Sequence, residues 1–244
     1  MKTFQLVFLS AVLLIAMPRL SGMSETEPVS SEVSERILNL IFSKGPEIYK
    51  KYRGVESIRK EHHQEFEPQT NALKSTSEIT SHRKDYFYEQ PEIEVLSLKK
   101  DGTDMNPSKH RIWKTMPIYP VFDEQGLENY ELKITDKKKI DERECYRIQV
   151  IPRKETSRHF KGNIYCTVDK LETVFTEGTV AKLDFPLREF YMELRTMLIN
   201  DVPVLQSGTV KVRVRVPIFY PDTLIVSTIT VVECKLIEQN KKAR

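Results

Sequence analysis

Two hydrophobic periods divide the chain. Near the N-terminus apolar residues recur at helical spacing: Val33, Ile37, Leu40 and Ile41 fall at i, i+4, i+7 and i+8, and Leu38 and Phe42 widen the stripe. Ser30 or Ser31 supplies an N-cap, Glu32 and Glu35 suit the positive end of a helix, and Lys44-Gly45-Pro46 reads as its stop. Residues 46–52 leave room for one further turn. Such a helix has to lie on an apolar surface.

From Tyr52 onward the period is two, and β-branched and aromatic residues dominate the apolar set. The pattern predicts strands over 54–66, 76–88, 92–98, 110–115, 130–135, 145–151, 163–169, 173–181, 187–198, 210–216 and 224–237. Turn chemistry separates several of them: Lys100-Asp101-Gly102, residues 123–126, Lys161-Gly162, residues 200–203 and Ser207-Gly208. One run of meandering antiparallel strands is the economical topology. Residues 187–198 fit a helix as well; the alternation of Phe190, Met192 and Leu194 and the flanking turns favour a strand.

Faces follow from parity. Tyr146, Ile148 and Val150 share one face against Arg147 and Gln149; Ile164, Cys166 and Val168 share another against Asn163 and Thr167. Val210, Val212, Val214 and Val216 alternate with Lys211, Arg213 and Arg215. These are strands of an antiparallel sheet that covers a core once. By the same parity Cys145 is expected to face solvent and Cys166 the core, and Cys166 to Cys234 is the one bridge that parity tolerates.

The first residues change the picture of where the chain works. Lys2 precedes an apolar run, residues 4–17, broken by Pro18 and Arg19. That is the length of a signal-peptide core and short for a membrane span. The expected organisation is a signal peptide over 1–22, a polar lead-in over 23–31, one β-rich domain over 32–238 and a polar tail over 239–244. The alternative is an uncleaved N-terminal anchor.

Charge and chemistry narrow the classes further. Without Lys2 and Arg19 the 38 basic residues fall to 36 against 35 acidic ones, a balance that does not ask for nucleic acid. Lys137-Lys138-Lys139, in a predicted turn, and Lys241-Lys242 read as solvated. Three cysteines without C-x-x-C spacing make neither a disulfide framework nor a zinc site, and His62 and His63 point to opposite faces of a strand. There is no G-x-S-x-G, H-E-x-x-H, P-loop or G-x-G-x-x-G, and eight glycines leave little for phosphate-cradling loops. No enzyme, metal or cofactor is expected.

The element order resembles the LolA-like family of periplasmic lipoprotein and lipid carriers, which includes RseB-type sensor domains. The resemblance lies in the leader, the helix SSEVSERILNLIFSK, the strand YRGVESIRKEHHQEF, the hairpin ECYRIQVIPRKETSRHFKGNIYCTVD, and FPLREFYMELRTML followed by VPVLQ. It implies a mainly β fold with an N-terminal helix: a curved antiparallel sheet or half-barrel with a helical lid. Only one strong helix is visible, where carriers of this type have more. The implied function is a periplasmic carrier or sensor for acyl chains of lipid or lipoprotein, without a membrane span in the mature protein. Ile37, Leu40, Ile41, Phe190, Met192 and Leu194 are the expected lining. The competing expectations are an ordinary packed core without a cavity, and an envelope module that holds a protein partner.

Overall fold

The computed structural model describes residues 29–109, 118–216 and 220–239. The leader, most of the lead-in, the predicted strand 110–115 and the end of the tail lie outside the described residues. Within them, α1 (Ser31–Lys51) is followed by β1 (Tyr52–Phe66), β2 (Leu73–Tyr86), β3 (Glu92–Lys100) and β4 (Thr103–Met105). After a crossover come the short α2 (Gly126–Asn129), β5 (Tyr130–Ile140), β6 (Arg143–Pro152), β7 (Phe160–Thr167) and β8 (Thr173–Val180). The chain ends with β9 (Leu187–Ile199), β10 (Val202–Val216) and β11 (Tyr220–Glu238).

The eleven strands form one curved, open antiparallel sheet in the order β4-β3-β2-β1-β11-β10-β9-β8-β7-β6-β5. The expected single meander is therefore two meanders, β1–β4 and β5–β11, joined where the first strand pairs with the last, from Tyr52↔Glu238 to Phe66↔Leu224. Its two edges, β4 and β5, are consecutive in sequence, so the chain between them has to pass from one side of the sheet to the other. Residues 118–122 of that crossover pack on the concave face beside α1. They supply the second cover that a one-helix sequence lacks.

Three tight hairpins use the left-handed turns that match strand twist: Asp101-Gly102, Asp141-Glu142 and Asn200-Asp201 all have positive φ. The middle one corrects the sequence reading. Lys137, Lys138 and Lys139 belong to β5, not to a turn, and the chain reverses after Ile140.

Two other predicted turns lie inside strands. Gly162 pairs with Gly178, and a Cβ on Gly162 would sit 2.1 Å from the Glu177 carbonyl oxygen; glycine here permits close approach of strands. Ser207-Gly208 follows a bulge in β10 between Leu205 and Ser207. The strand assignment of residues 187–198 holds as β9, with Met192 buried and Tyr191 exposed.

The helix also runs on past its predicted stop. The Ser30 hydroxyl accepts from the Val33 amide, Ile37, Ile41 and Gly45 form the buried i, i+4, i+8 stripe, and Pro46 is accommodated within the helix. Gly45 lies where the crossover touches α1: its absent Cβ would stand 1.8 Å from the Phe122 carbonyl oxygen, and Phe42 meets the Phe122 ring edge-on at 5.9 Å. Gly45-Pro46 is a docking notch, not a terminator.

Parity holds for β6, where Tyr146, Ile148 and Val150 are buried, and places Ile164 and Cys166 of β7 inside, but Tyr165 and Thr167 on the opposite face of β7 are buried as well. It fails for Cys145, which is completely buried although it shares the face of Arg147. Cys145 stands opposite Thr167 and Lys138 and next to buried Tyr165, with the Lys138 ammonium 5.8 Å from the Tyr165 ring centre. A small thiol among long neighbours is covered whichever face it is on. The three cysteines are free thiols, Cys166 in one apolar cluster and Cys234 against another. Burial pushes the Cys166 thiol up to about 12, and the other two thiols also rise through burial.

Gly45→Ala tests the notch. In an isolated helix the change stabilises by about 1 kcal/mol. Here it has to push the crossover backbone away, and we expect a net loss of about 2 kcal/mol in urea unfolding.

Candidate functional site

The concave face has two unlike halves. Under α1 and the crossover, buried Ile37, Ile41, Tyr130, Ile148, Ile164 and Met192 form a continuous core, with Phe190, Leu194 and Phe122 packed against it. A smaller cluster of Tyr52, Val202 and Val204, backed by Ile48, Val55 and Leu236, sits at the C-terminal end of the helix. Between the two lies a half-open cavity of about 390 Å³, in the range of about 300–1,000 Å³ that suits small ligands.

Its floor is sheet: Val55, Leu194, Val204, Leu205 and Val231 present apolar side chains from β1, β9, β10 and β11. Its roof is Tyr49 of α1 with Ile118 and Pro120 of the crossover. Tyr49 is held by an edge-on contact with Phe87 at 4.9 Å, and the Tyr88 hydroxyl donates to Asp123 at 2.7 Å, tying the β2 end to the crossover. Roof and floor belong to different elements, although α1 runs directly into β1 at Lys51 and Tyr52. Another hollow runs along the outer surface of α1 beside Leu40 and is formed by that helix alone.

One wall is polar. The odd-numbered residues of β1 and β2 face inward, which brings Ser57, Arg59 and Asp85 to the cavity. Arg59 Nε donates to Ser57 Oγ at 3.1 Å, and Nη2 pairs with Asp85. Arg83 donates Nη2 to Asp85 and Nη1 to Glu61, both at 3.3 Å. The ladder continues through His63, whose Nε2 lies 3.3 Å from Glu61 and whose Nδ1 lies 2.6 Å from the Ser227 hydroxyl.

Cations and anions alternate along it, each partly removed from water. Burial lowers Arg59, opposed by Asp85. Burial works to raise the Glu61 carboxyl, but the His63 hydrogen bond and the Arg83 charge hold it below the usual carboxylate range. Ser75 Oγ, Ser81 Oγ and Arg83 Nε are buried without a partner among the described residues.

Of the six residues singled out from sequence, Ile37, Ile41 and Met192 are buried together and Phe190 and Leu194 pack against them. Leu40 is 47% exposed and does not join them. Leu194 also reaches the cavity. The polar wall escaped sequence reading because β1 carries no face contrast: Ile58 lies on one side, Val55 on the other, and charges on both. The available signal was the matching alternation of Ser57, Arg59 and Glu61 with Ser81, Arg83 and Asp85.

The class defined by fold and cavity is an open, curved antiparallel sheet roofed by one long helix and a crossover. Neither a family model nor a curated protein sequence matches the chain. Among solved structures the chain is similar to a LolA superfamily protein from Nitrosomonas europaea, at 10% identity over 84% of this chain and 96% of that one, TM-score 0.42. It is similar to an outer membrane lipoprotein-sorting protein domain from Vibrio parahaemolyticus, at 9% identity over 88% and 95%, TM-score 0.42. A weaker likeness is to the MucA/MucB complex of Pseudomonas aeruginosa, at 9% identity over 83% and 99%, TM-score 0.24. No helix among the described residues is long and apolar enough to cross a membrane.

The ladder gives a pH prediction. A carboxyl depressed in the fold contributes stability above its unfolded pKa, about 4.3, and that contribution is lost as pH falls through the folded value. Glu61→Gln is expected to cost about 2 kcal/mol at pH 7. In urea unfolding across pH, the gap to wild type should close progressively below about pH 4.

Proposed function

We propose that this protein is an exported, non-enzymatic carrier or sensor that accepts an acyl chain of a lipid or lipoprotein in the cavity between the sheet and its roof. The single observation that carries the reading is the cavity itself: an apolar floor, a roof of helix and crossover, and one polar wall. That is the shape of an amphiphile. The apolar leader, residues 4–17, supports export to the periplasm. Uptake needs no covalent step. Each buried methylene contributes about 0.8 kcal/mol, so about eight offset an association cost near 6 kcal/mol. A partner offering equal burial would take the chain back.

The second reading, an envelope module that holds a protein, has one specific support. Residues 92–97 of β3 have no strand on their outer side among the described residues, and Leu96 there is 48% exposed. A peptide could add to this edge.

A fluorescent acyl probe separates the two. Val231→Trp fills the floor and is expected to weaken probe binding at least about tenfold, with the fold checked by circular dichroism. Leu40→Glu, on the outer surface of the helix, is expected to leave binding unchanged. Full binding by folded Val231→Trp would reject the cavity as the acyl site.

A further inference from the structure

We propose that Arg59 makes the site selective for an uncharged acyl oxygen, the carbonyl of an ester or amide, over a free carboxylate. This rests on the cavity reading above and names the head group that the cavity takes. Among the described residues that line the cavity, Arg59 is the one cation and Asp85 the one anion. Two of the three guanidinium nitrogens are committed, Nε to Ser57 and Nη2 to Asp85; Nη1 has no partner among the described residues. The side chain is 12% exposed and lines the cavity, so this remaining donor is free to be taken up by a bound acceptor.

The surrounding ladder fixes the charge that is wanted. Arg59 and Arg83 are balanced by Asp85 and Glu61, with His63 at the far end. An anionic head would enter a neutral wall, lose its hydration and lie beside Asp85 with no cation left to compensate it. A cationic head would have to compete for Asp85, which already accepts from both arginines.

The charged donor that the wall turns to the cavity is Arg59. Behind Arg59, Ser81 Oγ and Arg83 Nε are buried and unpartnered, as is Ser75 Oγ further along β2. A neutral carbonyl brings an acceptor without a charge, and the fork of Arg59 can donate to it at the point where the apolar floor begins.

Three probes of one chain length test this on the full mature protein by isothermal titration: 1-lauroylglycerol, 1-O-dodecylglycerol, which lacks the carbonyl, and laurate. The ester is expected to bind about tenfold tighter than the ether, as a hydrogen bond to a charged donor supplies, and laurate no tighter than the ether. In Arg59→Met the ester should fall to the level of the ether while the ether is unchanged. If Arg59→Met does not fold, Arg59→Met with Asp85→Leu removes both charges together and carries the same expectation. Equal binding of ester and ether by wild type overturns the proposal and leaves the cavity reading standing. Tightest binding of laurate, lost with Arg59, also overturns it in favour of an anion site. Binding of none of the three removes the cavity reading itself.

Discussion

The pairing of the first strand with the last organises this molecule. Because β1 lies against β11 in the middle of the sheet, the two meanders grow outward in opposite directions, and their free edges belong to consecutive strands. The chain can join those edges only by passing across a face. It passes across the concave one, where residues 118–122 meet α1 at the Gly45 notch. A sheet coiled by bulges at Ile58/Arg59, Thr80/Ser81, Ile134/Asp136 and Leu205/Ser207 would otherwise expose a wide apolar surface. Helix and crossover cover most of it, and the cavity is what they leave.

The two halves of that face obey different rules. Beneath α1 the apolar side chains interlock, and the energetics are those of an ordinary core. Beyond the helix end the face carries charges in alternating order, held by one another and by serine hydroxyls. Such a ladder is costly to desolvate, and replacing it by apolar residues would often stabilise a fold. Its cost is consistent with a binding role, since Arg59 lines the cavity with one nitrogen, Nη1, that has no partner among the described residues.

How far the sequence could be read depended on contrast between faces. The helix stripe, the alternation in β6, β7 and β9 and the turns at Asp101 and Asn200 stand out because one face is apolar, or because the backbone needs a special residue. Gly162, Gly208 and Gly45 were misleading: local chemistry says turn or stop, while tertiary contact demands the missing Cβ. Cys145 was misjudged because parity gives direction but not cover. The pairing of β1 with β11 has no local signal at all, so neither the crossover roof nor the cavity beneath it could be placed. The site residues divided accordingly: the helical and β9 positions were legible as an apolar set, whereas Arg59 and Asp85 became neighbours only through strand register.

The central claim is that an acyl chain lies between the floor of β1, β9, β10 and β11 and the roof of Tyr49 and the crossover. Photo-crosslinking with a diazirine-tagged acyl chain, followed by peptide mass spectrometry, tests it most directly. The account predicts labels on Leu194, Val204, Leu205 and Val231, competed by unlabelled amphiphile. Competed labelling confined to the outer surface of α1 around Leu40, or to the exposed edge of β3, would contradict it.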